Sequence, residues 1–416
     1  MDVLTSAGYK VLALEAAARA GGRIATTMPR GFEQPVELGA EFIHGDLPLT
    51  KKLLKKAGIQ FIPVEGKMVR VEKGQWKSGN QHEAHWKELL QKLRKQESDI
   101  TIADFLAENF PGAAYKKLRD AASRFAEGFD LADPANASIL GVKDEWLHEE
   151  ETQYRVAGGY GQLVEYLKQK CLKNGGKIRF NSACTKIGHT GAGVTVYTAD
   201  GKRYAASKIV VTCPVSVLSS ESITFEPALD TARLAIAQLG SGDVIRILLQ
   251  FSEPFWTKKD KELGFVLSDE VIPTWWTQSP KETNLLTGWL GGPAATKRKK
   301  DKDKQLLDDA VKSLSNIFHI PVAALRKLLV AHEIVQWSKV DYIAGGYSYQ
   351  TLFSAKAIEL LNRPFSGTIH FAGEALHDGD SRGTVEAALQ SGRKAARRIM
   401  SDLKQHKKGL FKIITK

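Results

Sequence analysis

Gly367-Thr368-Ile369-His370-Phe371-Ala372-Gly373-Glu374, followed by Gly383-Thr384-Val385-Glu386-Ala387-Ala388, is the stretch on which the reading of this chain turns. Thr368 to Ala372 has the composition of a short buried strand, and Gly373 and Glu374 come off its end. Small and polar residues from His377 to Arg382 form a loop. A helix then begins at Gly383, with small residues at Ala387, Ala388, Gly392, Ala395 and Ala396. A strand, a glycine turn and a helix N-terminus suit an anionic or electron-rich group, because free N–H groups and the helix dipole point at it. The same residues also suit an ordinary strand-to-helix packing unit, so the other end of the chain has to choose.

There, Asp2 to Ser6 reads as the end of a helix stopped by Gly8, and Val11-Leu12-Ala13-Leu14 as a buried strand with Glu15 at its C-terminal end. A carboxylate in that place is the ribose-binding position of a dinucleotide fold. The glycine-rich loop of that fingerprint belongs about 20 residues earlier, which runs off the start of the sequence. Gly158-Gly159-Tyr160-Gly161 is the nearest alternative and lacks the spacing. Two readings stay open at this point. Either Glu15 is only a strand-end carboxylate, or the first strand and phosphate loop lie upstream, in a reading frame that continues beyond Met1.

Composition narrows the class. A chain of 416 residues, 43% hydrophobic and 25% charged, holds ample core for two domains. There is no apolar run long enough to span a bilayer and no signal-peptide pattern. Three widely spaced cysteines (Cys171, Cys184, Cys213) argue against a disulfide framework and a zinc site, and make a cytoplasmic setting the expectation. The net charge of +12 invites a nucleic-acid reading. Yet the basic runs Lys51–Lys56, Lys297–Lys304 and Lys404–Lys416 lack interleaved aromatics and read as solvated faces or ends. Neither nucleic acid nor membrane is expected as a partner.

Gly21-Gly22-Arg23 follows Glu15 closely, and Val36-Glu37-Leu38-Gly39-Ala40-Glu41-Phe42-Ile43-His44-Gly45 comes next. With these residues the sequence resembles the flavin-containing amine oxidases, the family of monoamine oxidases, polyamine oxidases and histone lysine demethylases. The resemblance continues in order through Tyr154-Arg155-Val156-Ala157-Gly158-Gly159-Tyr160, the hairpin Val194–Gly201, and Ile209–Pro214. It runs on through Phe251–Trp256, Trp337, Gly345–Tyr349 and the Phe371–Glu374 segment.

The resemblance implies an α/β fold in which a doubly wound, Rossmann-like FAD domain (residues 1–45, 154–226 and 366–416) is interleaved with a substrate domain (residues 46–153 and 227–365). FAD would be held by Glu15 at the ribose, and by Gly21, Gly22 and Arg23 along the pyrophosphate and ribityl region. Gly39, Ala40, Glu41, Phe42, Cys213, Trp337, Gly373, Glu374, Gly383 and Thr384 would complete the cleft. The Val385 N–H would face the flavin pyrimidine edge. Residues 46–153 read as largely helical, with Phe125 and Phe129 as core. Strands at Val244–Phe251 and Leu285–Leu290 and a helix at Gln305–Phe318 follow from periodicity.

The reaction so implied is two-electron oxidation of a small-molecule amine to an imine, with O2 as acceptor and H2O2 as product. The family's lysine near flavin N5 is matched by Arg246, which together with His44 is the candidate for a catalytic role. Tyr347 stands where monoamine oxidases carry the cysteine that binds FAD, so FAD is expected to be non-covalent. Ser348 and Thr384 replace the two tyrosines that flank the amine, leaving a wider, polyamine-oxidase-like cavity lined by Trp275, Trp276, Tyr347 and Ser348. Two other readings remain at this stage: an L-amino-acid oxidase or other flavin dehydrogenase in which Arg246 grips a carboxylate, and a flavin-poor, non-enzymatic remnant lacking the phosphate loop. The oligomeric state is left open.

Overall fold

Short parallel ladders carry the nucleotide-binding part of the fold. In a computed structural model that describes residues 1–77, 84–148 and 152–414, Leu12–Leu14 pairs in parallel with Lys177–Arg179, and Ile209–Val211 with Ile369–Phe371. Non-consecutive parallel strands need crossover connections, and helices supply them. Asp2–Ser6 packs on both Gly161–Lys173 and the long C-terminal helix Val385–Ile414. Leu12 is 39% exposed and Leu14 half-buried, so the expected buried strand is only partly covered: among the described residues its ladder has two strands. The expected hairpin is present, with Val194–Thr198 antiparallel to Arg203–Ala206 and Gly201 at φ +76° in the turn.

The second layer is a seven-stranded sheet. Its order is Leu329–Gln336, Val244–Phe251, Leu285–Gly291, Thr274–Trp276, Leu263–Ser268, Lys67–Glu72 and Gln75–Lys77. All eight residues of Val244–Phe251 are buried, as befits an inner strand covered on both faces. The helix Asp303–Phe318 lays Leu306, Ala310, Val311, Leu314 and Ile317 on one face of the sheet. It starts two residues before the expected Gln305. The Lys297–Lys304 run forms the end of Gly292–Lys297, a loop and this helix start. In the basic run at the end of the chain the helix continues to Ile414; side chains beyond Lys404, and residues 415–416, lie outside the described residues.

Residues 46–153, expected to be largely helical, also hold three strands, Phe61–Pro63, Lys67–Glu72 and Gln75–Lys77. Val69 and Val71, two apart, are buried on one face while Arg70 between them is not, which is strand periodicity over a run too short to stand out. The remainder is helical as expected. Trp86–Lys95, Ile102–Asn109, Lys116–Gly128 and Ile139–Leu147 enclose a core that includes Trp86, Phe105 and Trp146. No helix among the described residues is long and apolar enough to cross a membrane.

Two carboxylates, Glu386 buried and Glu37 half-buried, fasten the parts together. Glu386, near the start of the C-terminal helix, accepts from Leu49 N (3.1 Å), Thr50 N (2.7 Å) and Thr50 Oγ1 (2.8 Å), so it caps the helix Pro48–Ala57 from outside. Glu37 accepts from Tyr160 N at 2.6 Å and Thr26 Oγ1 at 2.9 Å, tying the first segment to the glycine turn at residue 159. Gly159 has φ +97°, and a Cβ there would lie 2.4 Å from Thr26 Cγ2, so only glycine fits.

Burial pushes the Glu37 carboxyl up to about 7 from 4.5, against the pull of its two donors. A carboxyl whose folded value is raised stabilises most below its unfolded value and loses that contribution as pH rises to the folded one. Stability is therefore expected to fall by on the order of 2 kcal/mol from this group between pH 4.5 and 7, then to level off. Thermal melts of the protein and of Glu37→Gln across that range check it. The variant should be flatter by that amount, and parallel curves would contradict the assignment.

Candidate active site

Strand ends and one helix start converge on a continuous cavity of about 1820 Å3. A pocket for a single small ligand is roughly 300–1,000 Å3, so this one has room for a dinucleotide and a substrate together. At one end lies Glu15, placed by the strand Leu12–Leu14, with Oε1 accepting from Ala17 N at 2.9 Å. Cys184 and Cys213 line the same end. Burial pushes their thiols up to about 11 and about 12, so both stay protonated.

Next along the cavity is the turn Gly21-Gly22-Arg23. Gly21 has φ +110°, and a Cβ there would sit 2.6 Å from Ile24 O, so the backbone lies open to a ligand only because the residue is glycine. Arg19, which sequence reasoning did not single out, braces the turn by donating to Gly22 O (2.6 Å) and Ile24 O (2.9 Å). Arg23 pairs with Glu374 at 2.9 Å, and Ser348 Oγ donates to the other Glu374 oxygen at 2.6 Å. Three distant segments thus meet in one network. A Cβ on Gly39 would fall 1.9 Å from Arg23 O, so Gly39 too has no substitute. Trp337 closes the wall, its Nε1 donating to Leu38 O at 2.9 Å.

The C-terminal helix begins against this network. Gly383 is at φ +71°, Thr384 Oγ1 accepts from Ala387 N at 3.2 Å, and Val385 is the first helical residue. All three line the cavity. The first N–H groups of a helix have no intrahelical acceptor, so this terminus presents partial positive charge to the cavity. Tyr347 stacks beside Gly383 and donates its hydroxyl to Phe129 O.

Charge is concentrated around Glu41. Its carboxylate takes Arg155 Nε at 2.7 Å, Arg246 Nη2, and Trp276 Nε1 at 3.2 Å. Arg246 also donates to Gly39 O at 2.6 Å, and Arg155 to Ser279 O (2.7 Å) and Thr277 O (2.9 Å). Exposures are 6% for Glu41, 8% for Arg155 and 1% for Arg246, so the three charges are shielded from water. Burial alone pushes the Glu41 carboxyl up, but the two guanidinium groups outweigh it and hold the group below its ordinary value. Two cations on one carboxylate leave a net positive charge at this wall.

His44 stands nearby with its ring edge-on to Phe129 (5.5 Å) and tilted to Phe42 (5.9 Å). Burial pushes its imidazole down to about 4, which keeps it neutral across the physiological range. Among the described residues, buried His44 Nδ1 and Arg246 Nε have no hydrogen-bond partner. Orphaned nitrogen atoms along a cavity mark places where a bound molecule completes the bonding.

Of the residues singled out from sequence, two do not line the cavity. Trp275 lies in the sheet core with Nε1 donating to Ile272 O at 2.9 Å. It neighbours Trp276 on the strand Thr274–Trp276, and alternation sends the two to opposite faces. Gly373 turns its N–H to Ser391 Oγ at 3.1 Å, away from the cavity. Conversely, Phe125 and Phe129, expected as core, line the cavity as a stacked pair with centroids 5.2 Å apart. Arg155 stands out in the sequence only as part of a motif, and nothing local reveals its pairing with a carboxylate 114 positions away.

The sequence profile described as "Flavin containing amine oxidoreductase" matches residues 2–400, and the chain belongs to that family of enzymes. Polyamine oxidase 4 of Oryza sativa subsp. japonica is 25% identical over 426 residues, covering 94% of this chain and 84% of that protein. Lysine-specific histone demethylase 1B of Mus musculus is 29% identical over 253 residues, 58% of this chain, which spans only 29% of the demethylase. A solved putrescine oxidase superposes with TM-score 0.81 at 18% identity, covering 96% of this chain and 95% of that one. Cyclohexylamine oxidase from Brevibacterium oxydans IH-35A does so at 0.80 and 21%, covering 97% and 96%. These likenesses establish the fold: an FAD-binding Rossmann-like domain with a substrate domain.

The cofactor of this family is a flavin. The glycine turn, the helix start, the cavity's size and the orphaned nitrogens fit such a group. Glu15, Gly21, Gly22, Arg23 and Val385 are the residues that would hold it. Removing Glu41 leaves two buried guanidinium groups without a counter-charge, whereas removing Arg246 leaves a matched pair. Glu41→Gln is therefore expected to lower unfolding free energy by about 3–5 kcal/mol, and Arg246→Met by less than about half of that. Denaturant unfolding of both variants checks the order, and equal losses would contradict it.

Proposed function

We propose that this chain oxidises an amine of polyamine type to an imine, which hydrolyses to a carbonyl compound and a smaller amine. O2 is the electron acceptor and H2O2 the second product. The observation that carries the reading is the wall formed by neutral His44, the Phe42, Phe129 and Trp276 rings, and the surplus positive charge around Glu41. FAD, when bound, supplies the two-electron acceptor for the C–H bond next to the amine nitrogen. The rest of the work belongs to the chain's own side chains.

Arg155 and Arg246 disfavour an ammonium ion at that wall, so the reacting nitrogen enters neutral, with its lone pair available. His44 keeps an unprotonated ring down to about pH 4 and accepts a hydrogen bond from the amine N–H through a ring nitrogen. The aromatic rings exclude water and fix the direction of the carbon chain. The start of the helix Val385–Ile414 stabilises negative charge that develops beside it. Ser348 and Thr384 engage Glu374 and the helix cap, and so leave width for a long substrate. An amino-acid oxidase is less well supported. Arg246 already gives one guanidinium nitrogen to Glu41 and another to Gly39 O, so the two-pronged grip on a carboxylate is taken. Three cysteines without disulfides also suit a cytoplasmic setting for the enzyme.

The test is anaerobic mixing of the yellow holoenzyme with polyamines, simple amines and amino acids, followed by admission of air and a peroxide assay. Amines should bleach the visible flavin bands and air should restore them; bleaching by amino acids alone would overturn the reading. Because the reactive amine is the neutral form, kcat/KM should rise with pH toward the amine's own pKa. No inflection from His44 is expected between pH 5 and 8. His44→Leu should lower kcat/KM by about tenfold, the worth of one hydrogen bond in a dry site.

A further inference from the structure

The helix Pro48–Ala57 carries Lys51, Lys52, Lys55 and Lys56. At about 100° per residue these four side chains leave the axis within an arc of roughly 140°, and they span only about 7.5 Å along it. The other side of the helix is anchored. Leu54 is buried and Leu53 half-buried against a core that includes Ile43, Tyr160 and Leu163. Lys51 is held in place, its Nζ 3.2 Å from Asp46 Oδ1 and 4.6 Å from the centre of the Tyr154 ring. Lys52, Lys55 and Lys56 are exposed, and among the described residues none of the three is bonded to a carboxylate. With Asp46 and Pro48 the four lysines line a surface hollow of about 530 Å3, separate from the main cavity and of a size for one small ligand.

The fold leaves this charge uncovered, although it balances basic groups elsewhere. In the run Lys297–Lys304, Arg298 is bonded to Asp301 (2.6 Å) and to Asp309, and Lys299 pairs with Asp243 at 2.9 Å. On the helix Gly161–Lys173, which packs beside Pro48–Ala57, Lys168 pairs with Glu165 (2.5 Å) and Lys170 with Asp2 (2.9 Å). Around the hollow, four ammonium groups face one carboxylate, and that one, Asp46, is already engaged by Lys51. The acid that meets the helix start, Glu386, is taken up by Leu49 N, Thr50 and Gln390. Lys51 and Lys55, Lys52 and Lys56, and Lys52 and Lys55 stand three or four positions apart, so three like-charge pairs destabilise the helix. A ligand with several negative charges close together relieves all three.

We propose that Lys51, Lys52, Lys55 and Lys56 form a binding site for a compact polyphosphate, an anion with two or more linked phosphate groups. Linked phosphates place several charges within the few ångströms that the four ammonium groups cover, and lysine meets each as a point charge on a flexible stem. A nucleic-acid strand needs a longer basic track and rings on which bases stack. Here the face is short, and the neighbouring Tyr154 ring already lies under Lys51 and edge-on to Phe61 at 5.5 Å. A membrane surface needs apolar side chains free to enter it, and the leucines of this helix are packed into the core. The site stands apart from the amine chemistry but close to it in the chain. The helix begins four residues after His44, and Glu386, which caps it, follows Val385 at the main cavity.

The experiment is calorimetric titration of the holoenzyme, whose cofactor fills its own phosphate seat, with sodium tripolyphosphate and with orthophosphate at physiological salt. Tripolyphosphate should bind at least about tenfold more tightly than orthophosphate. Lys52→Gln, Lys55→Gln and Lys56→Gln combined should weaken it by at least about tenfold. Lys300→Gln, Lys302→Gln and Lys304→Gln combined, which remove the same net charge from exposed positions of the other run, should change it by less than about threefold. Without ligand the first variant should melt no lower than the wild type, because it removes like-charge pairs and no buried contact, so lost binding is not lost folding. Equal affinity for the two anions, or an equal loss in both variants, would overturn the proposal. So would tighter binding, per phosphate, of a short oligothymidylate or of vesicles of equal parts phosphatidylcholine and phosphatidylserine, which marks an extended polyanion surface instead.

Discussion

Glu41 is the point on which the rest of the site depends. Among the described residues its side chain is the one carboxylate in ion-pair contact with Arg155 and Arg246, which come from segments more than a hundred residues away in sequence, and all three are nearly dry. Ion pairs so deeply buried cost much desolvation, and their attraction repays it only where every remaining donor finds an acceptor. Here the carbonyls of Gly39, Thr277 and Ser279 complete most of the set. The cluster therefore fixes how the segment 39–42 sits against the inner strand Val244–Phe251, and through Gly39 it sets the backbone that passes Arg23. A shift of any one of these elements would strand a charge, which favours one arrangement over its neighbours.

From that constraint the cavity inherits its polarity. The Arg155 and Arg246 side carries surplus positive charge, the histidine beside it stays neutral because burial penalises its charged form, and the helical end holds carboxyl groups that burial keeps partly protonated. Chemistry that needs only a neutral amine, a dry pocket and an electron acceptor suits such a wall, and acyl transfer or phosphoryl transfer does not. Arg246 is engaged by Glu41 and Gly39 O and acts as a structural cation first.

Much of this is legible in the sequence wherever local backbone demands write themselves as glycine or alternation. Gly21 and Gly39 are readable because a side chain would collide with Ile24 O or Arg23 O, and Gly22 and Gly201 because their turns need positive φ. Val244–Phe251 shows as a mostly apolar run, broken only by Arg246 and Gln250, because both its faces are covered. Where function depends on distant partners the signal disappears. Arg155 looks like any arginine in a motif until Glu41 is placed beside it, and Phe129 reads as core until Tyr347 and His44 meet it across the cavity. Neighbouring tryptophans illustrate a third case: strand alternation guarantees that only one of Trp275 and Trp276 can face the site, but not which. Lys67–Glu72 reads with the helices around it because two buried valines are too few to fix a period.

The central claim is that separate stretches of one polypeptide close around a single FAD without a covalent link. It is tested most directly by denaturing the purified protein with acid and measuring the flavin in the supernatant and in the pellet. The account predicts one FAD per chain, all of it in the supernatant. A colourless protein that takes up no FAD when it is offered, or flavin that stays with the precipitated chain, would contradict it.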